Sequence, residues 1–130
     1  MPILKTISEK KAKGKVKKIF EDIKKARNIK TIPNFWKTIA ADPDTLERTW
    51  NSLQQVMKNG AIDSLIKEMI YVAVSMTNSC EYCIRSHTLA AKKKGMSDKM
   101  LKELIAVVAM ANETNRLVES YQVEVDKFLK

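Results

Sequence analysis

Hydrophobic positions recur every three or four residues along almost the whole chain, the period of helices packed through one face. Between Ser8 and Ala26 they are Val16, Ile19, Phe20, Ile23 and Ala26, set among lysines. This predicts a basic amphipathic helix, interrupted early by Gly14. Residues 1–7 carry no such pattern and are expected to be loose. After a connector over Asn28–Pro33, Pro33 suits the first turn of a short helix through Ala41, with Phe35, Trp36 and Ile39 on its buried side. Asp42 is a candidate N-cap and Pro43 a first helical residue for a helix to about Lys58. Leu46, Trp50, Leu53, Val56 and Met57 form its stripe, and Asn59-Gly60 stops it. Both tryptophans read as core anchors, a cofactor platform being the alternative.

The second half continues the pattern. Asp63 or Ser64 caps a helix through about Asn78 that is apolar over most of its circumference, and such a helix is expected at the centre of the domain. Its remaining face carries Glu68, Tyr71 and Ser75. Thr77-Asn78-Ser79 breaks and re-caps the chain, which places Cys80 at or near the start of a helix. That helix runs through Ile84, His87, Leu89 and Ala90 to Lys92-Lys93-Lys94 and ends at Gly95. Ser97 caps the next, with Met100, Leu101, Leu104, Ile105, Val107, Val108 and Ala111 buried. A last amphipathic helix is expected from Asn112 to about Leu129, with Leu117, Val118, Tyr121, Val125 and Phe128 inward. The class is all-α, with about six or seven helices.

Composition agrees: with three Gly and three Pro in 130 residues, 45% apolar and 30% charged, the chain is short of turn formers. A net charge of +9 is concentrated at one end. Residues 1–30 hold eleven basic side chains against three acidic ones, whereas residues 31–130 hold thirteen against twelve. The chain therefore divides into a basic helical segment, residues 1–29, and a nearly neutral helical domain, residues 30–130. Such a segment can bind nucleic acid or an acidic surface, but no pattern of aromatic or arginine residues among its lysines marks a reading surface, and a solvated lysine face explains it. Met1 to Phe20 has no apolar core of a signal peptide, and the apolar runs Met69–Val74 and Leu104–Ala111 are too short to span a bilayer. A soluble, cytoplasmic protein is the expectation. In a reducing compartment a C-x-x-C pair serves redox or metal chemistry more often than permanent cross-linking.

The chemistry is concentrated between Glu68 and His87, which include both cysteines and the one histidine. On a helix Cys80, Cys83 and His87 fall within an arc of about 60°. Three uses are open: a dithiol–disulfide couple with His87 or a Glu68 relay as proton acceptor, a zinc site built from Cys80, Cys83, His87 and either water or Glu68, or inert buried thiols. A helix N-terminus favours Cys80 as the more acidic thiol, whereas the i,i+4 spacing to His87 favours Cys83.

The pattern E-x11-C-x-Y-C-x3-H within KEMIYVAVSMTNSCEYCIRSH resembles the alkylhydroperoxidase D-like branch of the carboxymuconolactone decarboxylase superfamily. IPNFWKTIAADPDTLERTW and KKKGMSDKMLKEL are similar to the flanking helices, and the likeness covers roughly residues 30–112. The resemblance implies an all-α fold and a peroxidase or thiol–disulfide oxidoreductase activity in antioxidant defence, without metal or haem. It implies Cys83 as the attacking thiol, Cys80 as the resolving thiol, and Glu68 and His87 as the proton relay. Tyr82 stands where some members carry a second histidine; Tyr82, Tyr71 and Ser75 are candidate supports. The expected partners are a hydroperoxide and an external dithiol or reductase, such as a peroxiredoxin or a lipoyl-type dithiol protein. The resemblance also implies a homotrimer or homohexamer; longer members contain two copies of the unit, so a single copy would find its second half in another subunit. The alternatives are a decarboxylase-like enzyme, a disulfide carrier without peroxidase activity, and a nucleic-acid-binding module using Lys10–Lys25.

Overall fold

The computed structural model describes every residue from Met1 to Lys130 and contains helices and no strands. Six α-helices follow one another: α1 (Gly14–Arg27), α2 (Asn34–Ile39), α3 (Pro43–Met57), α4 (Ser64–Thr77), α5 (Glu81–Lys93) and α6 (Asp98–Ser120). Short 3-10 turns cover Glu9–Lys11 and Lys127–Leu129. The chain forms two compact units, Met1–Lys58 and Asn59–Lys130.

The first unit is built on the α1–α3 contact, with α2 against α3. Val16, Ile19, Phe20 and Ile23 of α1 are buried with Ile32, Trp36, Ala40, Leu46 and Trp50. Trp36 and Trp50 meet edge to face at 5.4 Å, and the Arg27 guanidinium lies over both rings at 5.4 and 5.5 Å. The Asp22 carboxylate accepts a 2.6 Å hydrogen bond from Trp50 Nε1, so the one polar atom of that indole is satisfied. Both tryptophans are core anchors, as their spacing predicts. Asp42 caps α3 by accepting from the Asp44 amide, with Pro43 at the first helical position. Lys15 ties α1 to α3 through Asp44 at 2.9 Å and Glu47 at 2.7 Å.

Several expectations for this unit are corrected. Helix does not begin at Ser8: Gly14, at φ 52, adopts the left-handed angle that glycine alone tolerates freely, so α1 starts there after the 3-10 turn. Pro33 is the N-cap of α2, one position before its first turn. Ile7 is tied down, its amide donating to the Lys37 carbonyl at 2.9 Å. Ala26, Phe35 and Val56 lie on the exposed side.

In the second unit α5 and α6 both pack on α4. The Asp63 carboxylate caps α4 by accepting from the Leu65 amide at 2.8 Å, and Ser97 caps α6 through the Met100 amide. Gly95, at φ 110, follows the end of α5 as predicted. The residues of α4 buried within the chain are Glu68, Val72 and Ser75, spaced i, i+4, i+7, whereas Ile66, Ile70 and Val74 are exposed. α4 is central to its unit, as expected, but what it buries differs from the expectation: Glu68 and Ser75 are covered, Glu68 against His87 of α5, while much of its apolar side is not.

The two predicted C-terminal helices are one as far as Ser120. Asn112 does not break α6; its side-chain Nδ2 donates to the Val108 carbonyl at 2.8 Å and to Thr77 Oγ1 at 3.0 Å. The remaining turns leave Leu117, Val118, Tyr121, Val125 and Phe128 exposed, not inward.

Candidate functional site

The site begins with how α4 ends. Ser79 adopts φ 56 and donates its amide to the Met76 carbonyl at 3.2 Å, while the Cys80 amide reaches the Ser75 carbonyl at 3.0 Å. These paired bonds close the helix in a Schellman turn, with serine in the left-handed position usually held by glycine. Cys80 is simultaneously the N-cap of α5, where its Sγ accepts from the Cys83 amide at 3.3 Å. One residue thus finishes one helix and starts the next. Its sulfur lies at the positive end of the α5 dipole, where anionic sulfur is stabilised.

Cys80 and Cys83 are joined as a disulfide, with Cα atoms 5.3 Å apart, in the range the bond requires. Both are half-buried. One turn beyond Cys83, the His87 Nδ1 lies 2.7 Å from Glu68 Oε2, and the two side chains are only 14% and 10% exposed. A carboxylate so withdrawn from water needs a partner of this kind. Their hydrogen bond links α5 to α4. The ring of Tyr71, one turn along α4 from Glu68, stacks on the His87 ring at 3.6 Å and 21°.

The expected residues are therefore distributed as follows. Glu68, Tyr71 and His87 form one contact cluster; Cys80 and Cys83 form the adjoining first turn of α5. Ser75 is buried, and its carbonyl holds the Cys80 amide. Tyr82 lies on the exposed side of α5. Ser79 is a position that sequence reasoning did not single out; the polar run Thr77-Asn78-Ser79 marked the break, but nothing in it marked which residue takes the left-handed angle. No group of three or more His, Cys, Asp or Glu side chains is arranged to hold a metal ion. No helix is long and apolar enough to cross a membrane.

Fold and site define a helical protein with a paired-cysteine turn backed by a carboxylate–imidazole pair. The profile of the carboxymuconolactone decarboxylase family matches residues 43–123, and the chain belongs to that family. The crystal structure of the alkylhydroperoxidase AhpD core from Rhodospirillum rubrum is similar, with a TM-score of 0.85 and 45% identity over 89% of this chain and 87% of that one. The chain is thus an AhpD-like member of the superfamily. A Paracoccus denitrificans protein described as uncharacterized protein 4 in cox locus is 35% identical over 54 residues, 42% of this chain. The match spans about half of that relative, 49% of its length.

Proposed function

We propose that the protein is a thiol-dependent alkylhydroperoxidase that works through the Cys80–Cys83 couple without metal or haem. The Cys83 thiolate attacks the outer oxygen of a hydroperoxide, the O–O bond breaks, and the alkoxide takes a proton to leave as alcohol. Cys83 is then a sulfenic acid. The Cys80 thiol attacks that sulfur, water leaves, and the disulfide closes. An external dithiol, on a lipoyl-type protein or a peroxiredoxin system, donates the two electrons that reopen it. Glu68 and His87 carry protons to and from the sulfurs. The observation that supports this reading is a disulfide on the first turn of α5 one helical turn from a buried Glu68–His87 pair.

The reading includes a homotrimer or homohexamer in which other copies cover Ile66, Ile70 and Val74 along α4, three exposed side chains on one stripe of a single helix. Light scattering of the purified chain gives the number of copies.

The test is to react the reduced protein with one equivalent of cumene hydroperoxide and measure intact mass and free thiols. Loss of two hydrogens with both thiols consumed, reversed by dithiothreitol, is expected; the Cys83→Ser variant should fold and lose at least about a thousandfold in rate. Thiols that persist in the unmodified protein sink the peroxidase reading. Turnover with a dithiol protein but not with peroxide identifies a disulfide carrier instead.

A further inference from the structure

The Glu68–His87 bond alone does not fix the imidazole. A histidine side chain turns about two torsions, and one hydrogen bond at Nδ1 restrains one edge of the ring while leaving its plane free to tilt about that contact. The plane is restrained by something else: Tyr71 lies on the ring face, 3.6 Å between centroids and 21° from parallel. Glu68 and Tyr71 stand at i and i+3 on α4, so the edge restraint and the face restraint come from one rigid element.

We propose that Tyr71 is a positioning residue for His87: its ring sets the plane in which the imidazole presents its second nitrogen, Nε2, to the thiol chemistry of α5. A carboxylate can only accept, so the 2.7 Å contact with Glu68 favours the proton on Nδ1, and a neutral ring then carries its lone pair on Nε2. The carboxylate chooses the tautomer, and the phenol ring chooses the direction. The contact is between ring faces, so the hydroxyl is dispensable and the aromatic face is not. The role separates Tyr71 from the proton relay, because it requires no proton to pass through the phenol. The inference rests on the proposed use of His87 in thiol chemistry, but its structural half stands apart from any peroxide reaction.

The experiment compares Tyr71→Phe and Tyr71→Leu with the unmodified protein, each checked for helix content by circular dichroism. His87 is the one histidine of the chain, so its ring signals in a long-range 1H–15N correlation spectrum belong to a single residue. Tyr71→Phe should keep the upfield-shifted ring protons, the Nδ1–H tautomer and a rate of thiol oxidation by cumene hydroperoxide within about twofold of the parent. Tyr71→Leu should lose the ring-current shift, show exchange-broadened ring signals, and react about ten- to a hundredfold more slowly, the range that a small misplacement of a reacting group causes. Restoration by Phe but not by Leu is the signature of positioning by a ring face. Unchanged His87 line widths in a folded Tyr71→Leu protein overturn the proposal, as does a Tyr71→Phe protein as slow as Tyr71→Leu. If the parent itself does not react with peroxide, the peroxidase reading fails. The spectra, with iodoacetamide alkylation rates of the reduced thiols, then decide the role of Tyr71.

Discussion

The two units of the chain bury different things. Met1–Lys58 encloses a core that includes Ile23, Ile32, Trp36, Leu46 and Trp50, with the indole nitrogen of Trp50 satisfied at its edge. Asn59–Lys130 encloses Val72, Ala91, Met96 and Leu104 together with a glutamate and a serine, and leaves Ile66, Ile70, Val74 and most of the apolar side of α6 exposed. The first is organised by apolar burial, which is non-directional and tolerant. The second is organised around a charge-assisted bond, which is directional and fails when one partner is lost. The difference teaches that chemistry and core compete for the same interior positions. On α4 the places that leucine or valine would fill are occupied by Glu68 and Ser75.

The largest effect expected from this contrast is in the first unit. Replacing Trp36, 2% exposed, by alanine should cost about 3–5 kcal/mol in chemical denaturation. Val72→Ala, at a position fully buried in the second unit, should cost about 2 kcal/mol, because only two carbons leave and a small cavity remains. Equal losses in the two variants would break the comparison. The next effect has the opposite sign. Ser79→Gly should raise stability by about 0.5–1 kcal/mol, since glycine takes φ 56 without the strain of a Cβ, less its own entropy in the unfolded chain. A lower unfolding midpoint in that variant would mean that the serine side chain holds the turn in a way its backbone does not.

The smallest effect is in acid. The Lys24 ammonium holds the Glu9 carboxyl below its ordinary value, and the Thr45 hydroxyl does the same for Asp42. Both carboxylates therefore bind protons more readily in the unfolded chain. The stability they contribute is present above the ordinary carboxylate range and is lost as the pH falls through their folded values. Because Asp42 is exposed and Glu9 only partly buried, solvent screens the effect. Glu9→Gln should flatten the acid side of the denaturation midpoint against pH slightly, and a steeper acid limb in that variant would contradict the assignment.

Much of this arrangement is legible in the sequence, where local chemistry decides it. Asp42-Pro43, Asp63, Ser97 and Gly95 mark helix ends through caps and backbone angles that neighbours cannot override. The grouping of Glu68, Tyr71 and Ser75 on one face, and the placement of Cys80 at a helix start, follow from helical period alone. What the period cannot say is which face is covered by the same chain. A stripe of Ile66, Ile70 and Val74 says that water is unfavourable there and is silent about what replaces it. Asn112 misleads for a related reason: its preference for turns is local, while the Thr77 hydroxyl that receives its amide comes from α4. Gly14 was visible as an interruption, but only the backbone angle turns an interruption into a helix start.

The double duty of Cys80 bears on how this segment can change over evolution. Its amide closes α4 and its sulfur opens α5, so the spacing between Glu68 and His87 is counted from both sides of one residue. A residue inserted or deleted in the helical turns on either side, next to Ser75 or Cys83, would rotate His87 by about 100° relative to Glu68, too far for a neighbouring side chain to correct, and one at Asn78–Ser79 would break the paired bonds of the turn. Point substitutions at the surface of α5 are cheap by comparison. The segment should therefore behave like a fixed-length spacer, drifting in composition and rigid in length, and length variants placed there should be lost from a random library before most substitutions are.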